Sequence, residues 1–286
     1  MRQNLRLNRF GQTAALLGML MILPGLGGVE RLFAPDAELW PRWRAHDATS
    51  ARTIDHGRWG EFLASHVIDD PNGPNRVAYG AVSEADRAAL DRYLDEMAKT
   101  AISGYARDEQ MAYWINLYNA LTVRVVLDHP SVDSIRDIDI SPGLFSDGPW
   151  DADLIEVEGE TLTLNDIEHR ILRPIWRDPR IHYAVNCASI GCPDLQIRPF
   201  TGAQIDAQLE AAARAYVNDP RGVAIVGDDI TVSKIYGWFI EDFGGDEAGV
   251  MAHLTRYAEP ALKAELTRIG KLDDTAYDWS LNGAAR

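Results

Sequence analysis

The sequence predicts an α+β domain: an antiparallel sheet of hairpins packed by helices, with an apolar helix at its centre over about residues 108–128. Three observations carry this reading. Between Glu109 and Arg124 no residue is charged, and Met111, Trp114, Ile115, Tyr118, Leu121, Thr122 and Val125 make a wide apolar stripe at helical spacing. A helix so apolar all round belongs inside a domain. Two alternating stretches flank glycine turns, 154–164 around Glu158-Gly159-Glu160 and 223–232 around Gly227-Asp228-Asp229, and each reads as a hairpin. Helical periodicity over 84–101 and 204–217 supplies the packing layer.

The chain begins with a targeting pattern. Arg2, Arg6 and Arg9 precede a largely apolar run over 14–29 that Pro24, Gly25, Gly27 and Gly28 interrupt. That layout is a secretory signal with Gly25-Leu26-Gly27 as a small-x-small cleavage site, or, uncleaved, an N-terminal membrane anchor. Residues 30–286 are then expected as a single globular domain, periplasmic or secreted, tethered to the inner membrane if the anchor stays on. Membrane contact is expected through the N-terminal segment only. The net charge of −15, with no Lys/Arg run to offset it, repels phosphate backbones and argues against a nucleic-acid partner.

Taken in order, 30–81 reads as short helices and loops, with a turn over 69–75. Ser83 and Asp86 form a capping box for the helix 84–101, which carries Leu90, Leu94, Met97 and Ala101 on one face. On the central helix Asn116 and Asn119 share one edge of the apolar stripe. They either pin the packing through backbone hydrogen bonds or line a site and orient a ligand or catalytic group. The segment after His129-Pro130, through 141–143 and 147–149, is long enough for a lid or rim. A short helix follows the first hairpin, capped by Asn165, buried through Ile167 and Ile171 and ended by Pro174. On a helical wheel its Glu168 and His169 point away from the buried line, which predicts a solvated face.

Residues 181–185 read as a short strand and 186–193 as a turn of small residues, holding both cysteines of the chain, Cys187 and Cys192. After the helix 204–217 and its terminator 219–222 come the second hairpin, a short aromatic helix over 233–242, and helices over 247–271 interrupted at Pro260. The tail 277–282 alternates as a last strand would.

The cysteines admit three readings. In an oxidising compartment they close a disulfide across the turn. As a nucleophile, Cys187 needs a base and an oxyanion site. As metal ligands, four intervening residues stand at the loose end of zinc spacing and a second ligand pair is absent, so neither a metal nor a cofactor is expected. Strand alternation would turn His182 away from Cys187, which leaves His169, held by Glu168 or an asparagine, as the base.

Several motifs together resemble the bacterial family known as domain of unknown function 547. They are the stretch from Trp114 to Asn119, Ile167-Glu168-His169 with Leu172-Arg173, the stretch from Arg180 to Pro193, Ser233-Lys234-Ile235, and the tail from Tyr277 to Asn282. The resemblance covers about 81–282 and implies an exported or membrane-tethered protein, with no established reaction. It places Asn116, Asn119, Glu168, His169, His182, Cys187 and Cys192 in shared motifs, which favours one common site. Two functions follow as expectations. One is a thiol-dependent hydrolase or acyl-transferase on a small peptide or amide. In it Cys187, His169, Glu168 and His182 are catalytic, and Asn116, Asn119, Asn186, Cys192 and Lys234 bind a small-molecule or peptide ligand. The other is a non-catalytic binding or envelope-scaffolding module with a structural Cys187–Cys192 disulfide.

Overall fold

The computed structural model describes residues 34–71, 73–143 and 148–284, so the targeting segment read over 1–29 lies outside the described residues. Two helices, α1 (Gly57–His66) and α2 (Glu84–Ala98), are separated by the two-residue strands β1 (Val67–Ile68) and β2 (Arg76–Val77). Ser83 and Asp86 cap α2 reciprocally as their spacing requires, and the helix ends at Ala98, three residues short of the expected end. The central helix α3 spans Arg107–Asp128, and every residue from Glu109 to Val123 is buried.

The first hairpin pairs β3 (Ile155–Val157) with β4 (Glu160–Leu162), its turn made by Glu158 at φ 48 and Gly159 at φ 82. The next element departs from expectation. Residues Asp166–Leu172 wind as a π-helix that runs directly into α4 (Arg173–Trp176). Thr163 and Asp166 supply the cap, each side chain accepting from the other's backbone N–H, while Asn165 bonds Asp151 instead. Pro174 sits in the first turn of α4, where its missing N–H is harmless, and does not end the helix. The helix stops at Arg177, in the left-handed region at φ 52.

Residues 181–185 are not a strand. Asp178 caps a 3-10 helix over Pro179–Tyr183, with Pro179 preset for a first helical position. Ile181, His182 and Tyr183 are all buried, where a strand on one face would alternate. Then follow α5 (Ile205–Val217), the hairpin β5 (Val223–Val226) and β6 (Asp229–Ser233), α6 (Ile235–Trp238), α7 (Glu247–Tyr257), α8 (Pro260–Ile269) and β7 (Asp274–Ala276).

The strands form three small sheets among helices, β1-β2, β3-β4 and β5-β6-β7, the last with β7 parallel to β6. The expected final strand is therefore shifted: pairing with β6 uses 274–276. The alternating tail instead makes single bridges, Leu281 to Ser189 and Gly283 to Val77. One core gathers α1, α2, α3, the first hairpin and the π-helix, and a second gathers α5 to α8 with β5 and β6. Ile181 and Ala184 belong to the first core and Tyr183 to the second, so the 3-10 turn leading into the cysteines is the seam between them. The rim segment is partly packed: Ile135 and Ile138 are buried with Val125, Val126 and Ala188. Among the described residues no helix is long and apolar enough to cross a membrane.

Candidate functional site

The cysteine turn is built by side chains that hold backbone. Asn186 accepts from the Ala188 N–H through Oδ1 and donates through Nδ2 to the Pro193 carbonyl, which closes the turn at its neck. Ala188 takes φ 59, unusual for a residue with a Cβ, and is fully buried. From outside, Arg221 donates to the carbonyls of Ile190 and Cys192, and the tail runs alongside with Gly191 N–H on Asp278 O and Ile190 N–H on Ser280 O. Cys187 and Cys192 are thereby brought into disulfide contact with their Cα atoms 6.3 Å apart, and no free cysteine remains among the described residues. The Tyr277 hydroxyl touches Cys187 Sγ at 3.2 Å, Cys192 Sγ at 3.1 Å and Ser189 Oγ at 2.9 Å. Burial pushes that phenol well above its usual range.

The asparagines of α3 are spent on backbone. Asn116 donates to Phe200 O and accepts from Phe200 N–H; Asn119 donates to Ala184 O and accepts from Asn186 N–H. Asn119 thus fixes the entry to the cysteine turn, and the backbone N–H of Lys234 donates to Ala276 O.

Glu168 and His169 are inside, against the expectation of a solvated face: Glu168 keeps 7% of its surface exposed, His169 5% and His182 3%. The physical reason is the π winding. Its i to i+5 bond, here Arg173 N–H to Glu168 O, adds backbone to each turn and rotates both side chains towards the core, which a 3.6-residue wheel does not anticipate. Glu168 is the hub of the resulting cluster. Its Oε1 is 3.7 Å from His182 Nδ1 and its Oε2 is 3.9 Å from His169 Nε2, while burial and then the Glu168 charge push the phenol of Tyr118, on α3, well above its usual range.

The outer nitrogens of both imidazoles are assigned by their partners. Arg173 Nη1 is 3.0 Å from His169 Nδ1, and a guanidinium only donates, so Nδ1 accepts and the proton sits on Nε2, facing Glu168. Burial, with Arg173 and His182 adding to it against the pull of Glu168, lowers His169 to about 4 and keeps it neutral. His182 Nε2 lies 2.7 Å from Asp242 Oδ2, so its proton is held there and Nδ1 is left facing Glu168. Asp242 also accepts from Arg173 Nε at 2.6 Å. Burial alone would raise its carboxyl, but the hydrogen bonds and charges of His182 and Arg173 outweigh it and hold Asp242 at about 2. The Phe239 ring stacks on His182 at 4.4 Å and 11°, with Arg173 over it.

Residues 102–217 match the model of a family described as "Protein of unknown function, DUF547". This stretch is a DUF547 domain. No curated protein and no solved structure matches the chain. The match is shorter than the 81–282 over which the motifs resemble the family. The DUF547 span contains Asn116, Asn119, Glu168, His169, His182, Asn186, Cys187 and Cys192, whereas Asp242 and Tyr277, which complete their surroundings, lie beyond it.

The DUF547 domain therefore brings the predicted residues to one region in two groups. Glu168, His169 and His182 converge; Cys187, Cys192 and Asn186 form the adjoining turn. No imidazole is hydrogen-bonded to either sulfur among the described residues, and His169 is committed to Arg173. Arg173, Asp242, Tyr118, Phe239 and Tyr277 were not singled out as site residues. Leu172-Arg173 and the Tyr277 tail stood among the family motifs, a usable signal, but nothing local marks Asp242, which reaches His182 from sixty positions away in sequence. Among the described residues no three of His, Cys, Asp or Glu are arranged to hold a metal ion.

Proposed function

We propose that the DUF547 domain is a ligand-binding module of the cell envelope in which Cys187 and Cys192 form a structural cross-link and a small peptide, amide or other neutral molecule binds over the Glu168-His169-His182 cluster. The observation that carries this reading is the engagement of the sulfurs: each faces the other and the Tyr277 hydroxyl, and among the described residues neither is hydrogen-bonded to an imidazole. A short disulfide at the neck of a turn supports an oxidising compartment, which agrees with export by the N-terminal segment. The acidic balance supports a partner that is not a polyanion.

The thiol-dependent hydrolase or acyl-transferase is the second reading, and one observation favours it. Cys187 is the more exposed of the pair, where a nucleophile would need to be, while Cys192 is buried.

Alkylation separates the two. On the cross-link reading, native protein isolated without reductant takes up no iodoacetamide at either cysteine, and Cys187→Ser and Cys192→Ser destabilise the fold by similar amounts, about 2 kcal/mol for so short a loop. Rapid labelling of Cys187 alone, below the pH at which an ordinary thiol reacts, would establish the nucleophile instead.

A further inference from the structure

Four atoms in the buried cluster have capacity left over. Among the described residues no geometric hydrogen bond reaches Glu168 Oε1 or Oε2, His182 Nδ1 has no hydrogen-bond partner, and neither has the proton on His169 Nε2. Gaps of 3.7 and 3.9 Å are too long for direct hydrogen bonds, and each residue keeps a little exposed surface. The set offers acceptors on Glu168 and His182 and a donor on His169, with the Glu168 carboxylate next to both imidazoles. A water molecule matches it: two O–H bonds to give, to Glu168 and His182, and a lone pair to take the His169 N–H. Behind His182, Asp242 holds the far nitrogen in one tautomer at 2.7 Å, the arrangement that makes an imidazole a directed base.

We propose that Glu168, His169 and His182 hold a water between them, and that His182, backed by Asp242, takes its proton for attack on an uncharged carboxylic ester or amide. This rests on the reading above in one respect, that sulfur stays out of the chemistry. In the step, a water O–H bond breaks with its proton passing to His182 Nδ1 while the oxygen bonds the carbonyl carbon and the π pair moves to the carbonyl oxygen. The tetrahedral adduct then reforms C=O and expels the alcohol or amine, which takes the proton from Nδ1, leaving a carboxylic acid. An uncharged acyl group is indicated because Glu168 and Asp242 would repel an anionic one, and because partly buried Phe239, flat against His182, offers an apolar wall. Tyr118, buried and with its phenol pushed up in part by the charge of Glu168, is a positioning residue for the carboxylate.

The test uses the full-length oxidised protein, treated with iodoacetamide without reductant, and p-nitrophenyl acetate. Hydrolysis above the buffer rate is expected, without a burst. The rate should rise with pH through a single ionisation and fall by about 100-fold or more in His182→Gln and Asp242→Asn, with folding checked by circular dichroism. Release of p-nitrophenol at the buffer rate, or a wild-type rate in folded His182→Gln, overturns the proposal. Should His182→Gln not fold, diethyl pyrocarbonate decides: His182 should be acylated with parallel loss of activity. Full activity with His182 modified, or no reaction there at doses that modify exposed His46, overturns it equally. An activity that iodoacetamide alone abolishes sinks the cross-link reading, whereas an iodoacetamide-resistant activity indifferent to His182 sinks only this one.

Discussion

His169 and His182 are chemically the same side chain given opposite duties by their partners. A guanidinium beside one forces its proton inward, and a carboxylate beside the other draws its proton outward, so a donor and an acceptor face the same carboxylate. Such an assignment needs rigid neighbours, and Asn119 contributes by tying α3 to the backbone at both Ala184 and Asn186. Asn119→Leu leaves a buried carbonyl and a buried N–H unpaired. We expect a loss of about 1–3 kcal/mol for each group, read as a lower urea midpoint at unchanged slope. An unchanged midpoint would show that these backbone groups find other partners and that Asn119 does not brace the turn.

The elements differ in how far the sequence disclosed them. Both hairpins were legible because Gly159 at φ 82 and Gly227 at φ 64 do what a tight turn demands, and α3 because its uncharged run allows no exposed face. A helical wheel misplaces Glu168 and His169 because it assumes α geometry, and strand alternation misplaces His182 because the segment winds as a 3-10 turn. Neither error is visible locally, since π and 3-10 windings are chosen by tertiary contacts such as Arg173 with Asp242. The bond from Asp242 to His182 is likewise invisible before the two cores meet. At this scale the contact of tail and turn is testable. A Cβ on Gly191 would stand 2.8 Å from Asp278 N and 3.0 Å from Asp278 O, backbone that cannot step aside cheaply. Gly191→Ala should therefore cost about 1–3 kcal/mol and speed amide exchange at Ile190, whose N–H bonds Ser280. Unaltered exchange there would mean that the tail follows the turn without strain.

For the molecule as a whole, acid is the natural stress. His56, His169 and His253 are each lowered to about 4, chiefly by burial, so between pH 6.5 and 4 the unfolded chain binds protons that the fold refuses. Stability from these groups is complete above pH 6.5 and drains as pH falls towards 4, by a total on the order of several kcal/mol. Asp242, lowered to about 2 from 3.8, adds a second loss only below about pH 3.8. Thermal melts from pH 8 to 3 should show a fall beginning near 6.5; a flat profile down to pH 4.5 would contradict the burial of these imidazoles. The order in which the chain is made matters as well. Residues 277–283, which clamp the cysteine turn on one side and Val77 on the other, follow everything they hold together. While the chain is still growing, the turn lacks Tyr277 and the seam between the cores stays unsealed. A nascent chain of this design therefore carries an unclamped cysteine turn until residues 277–283 have been added.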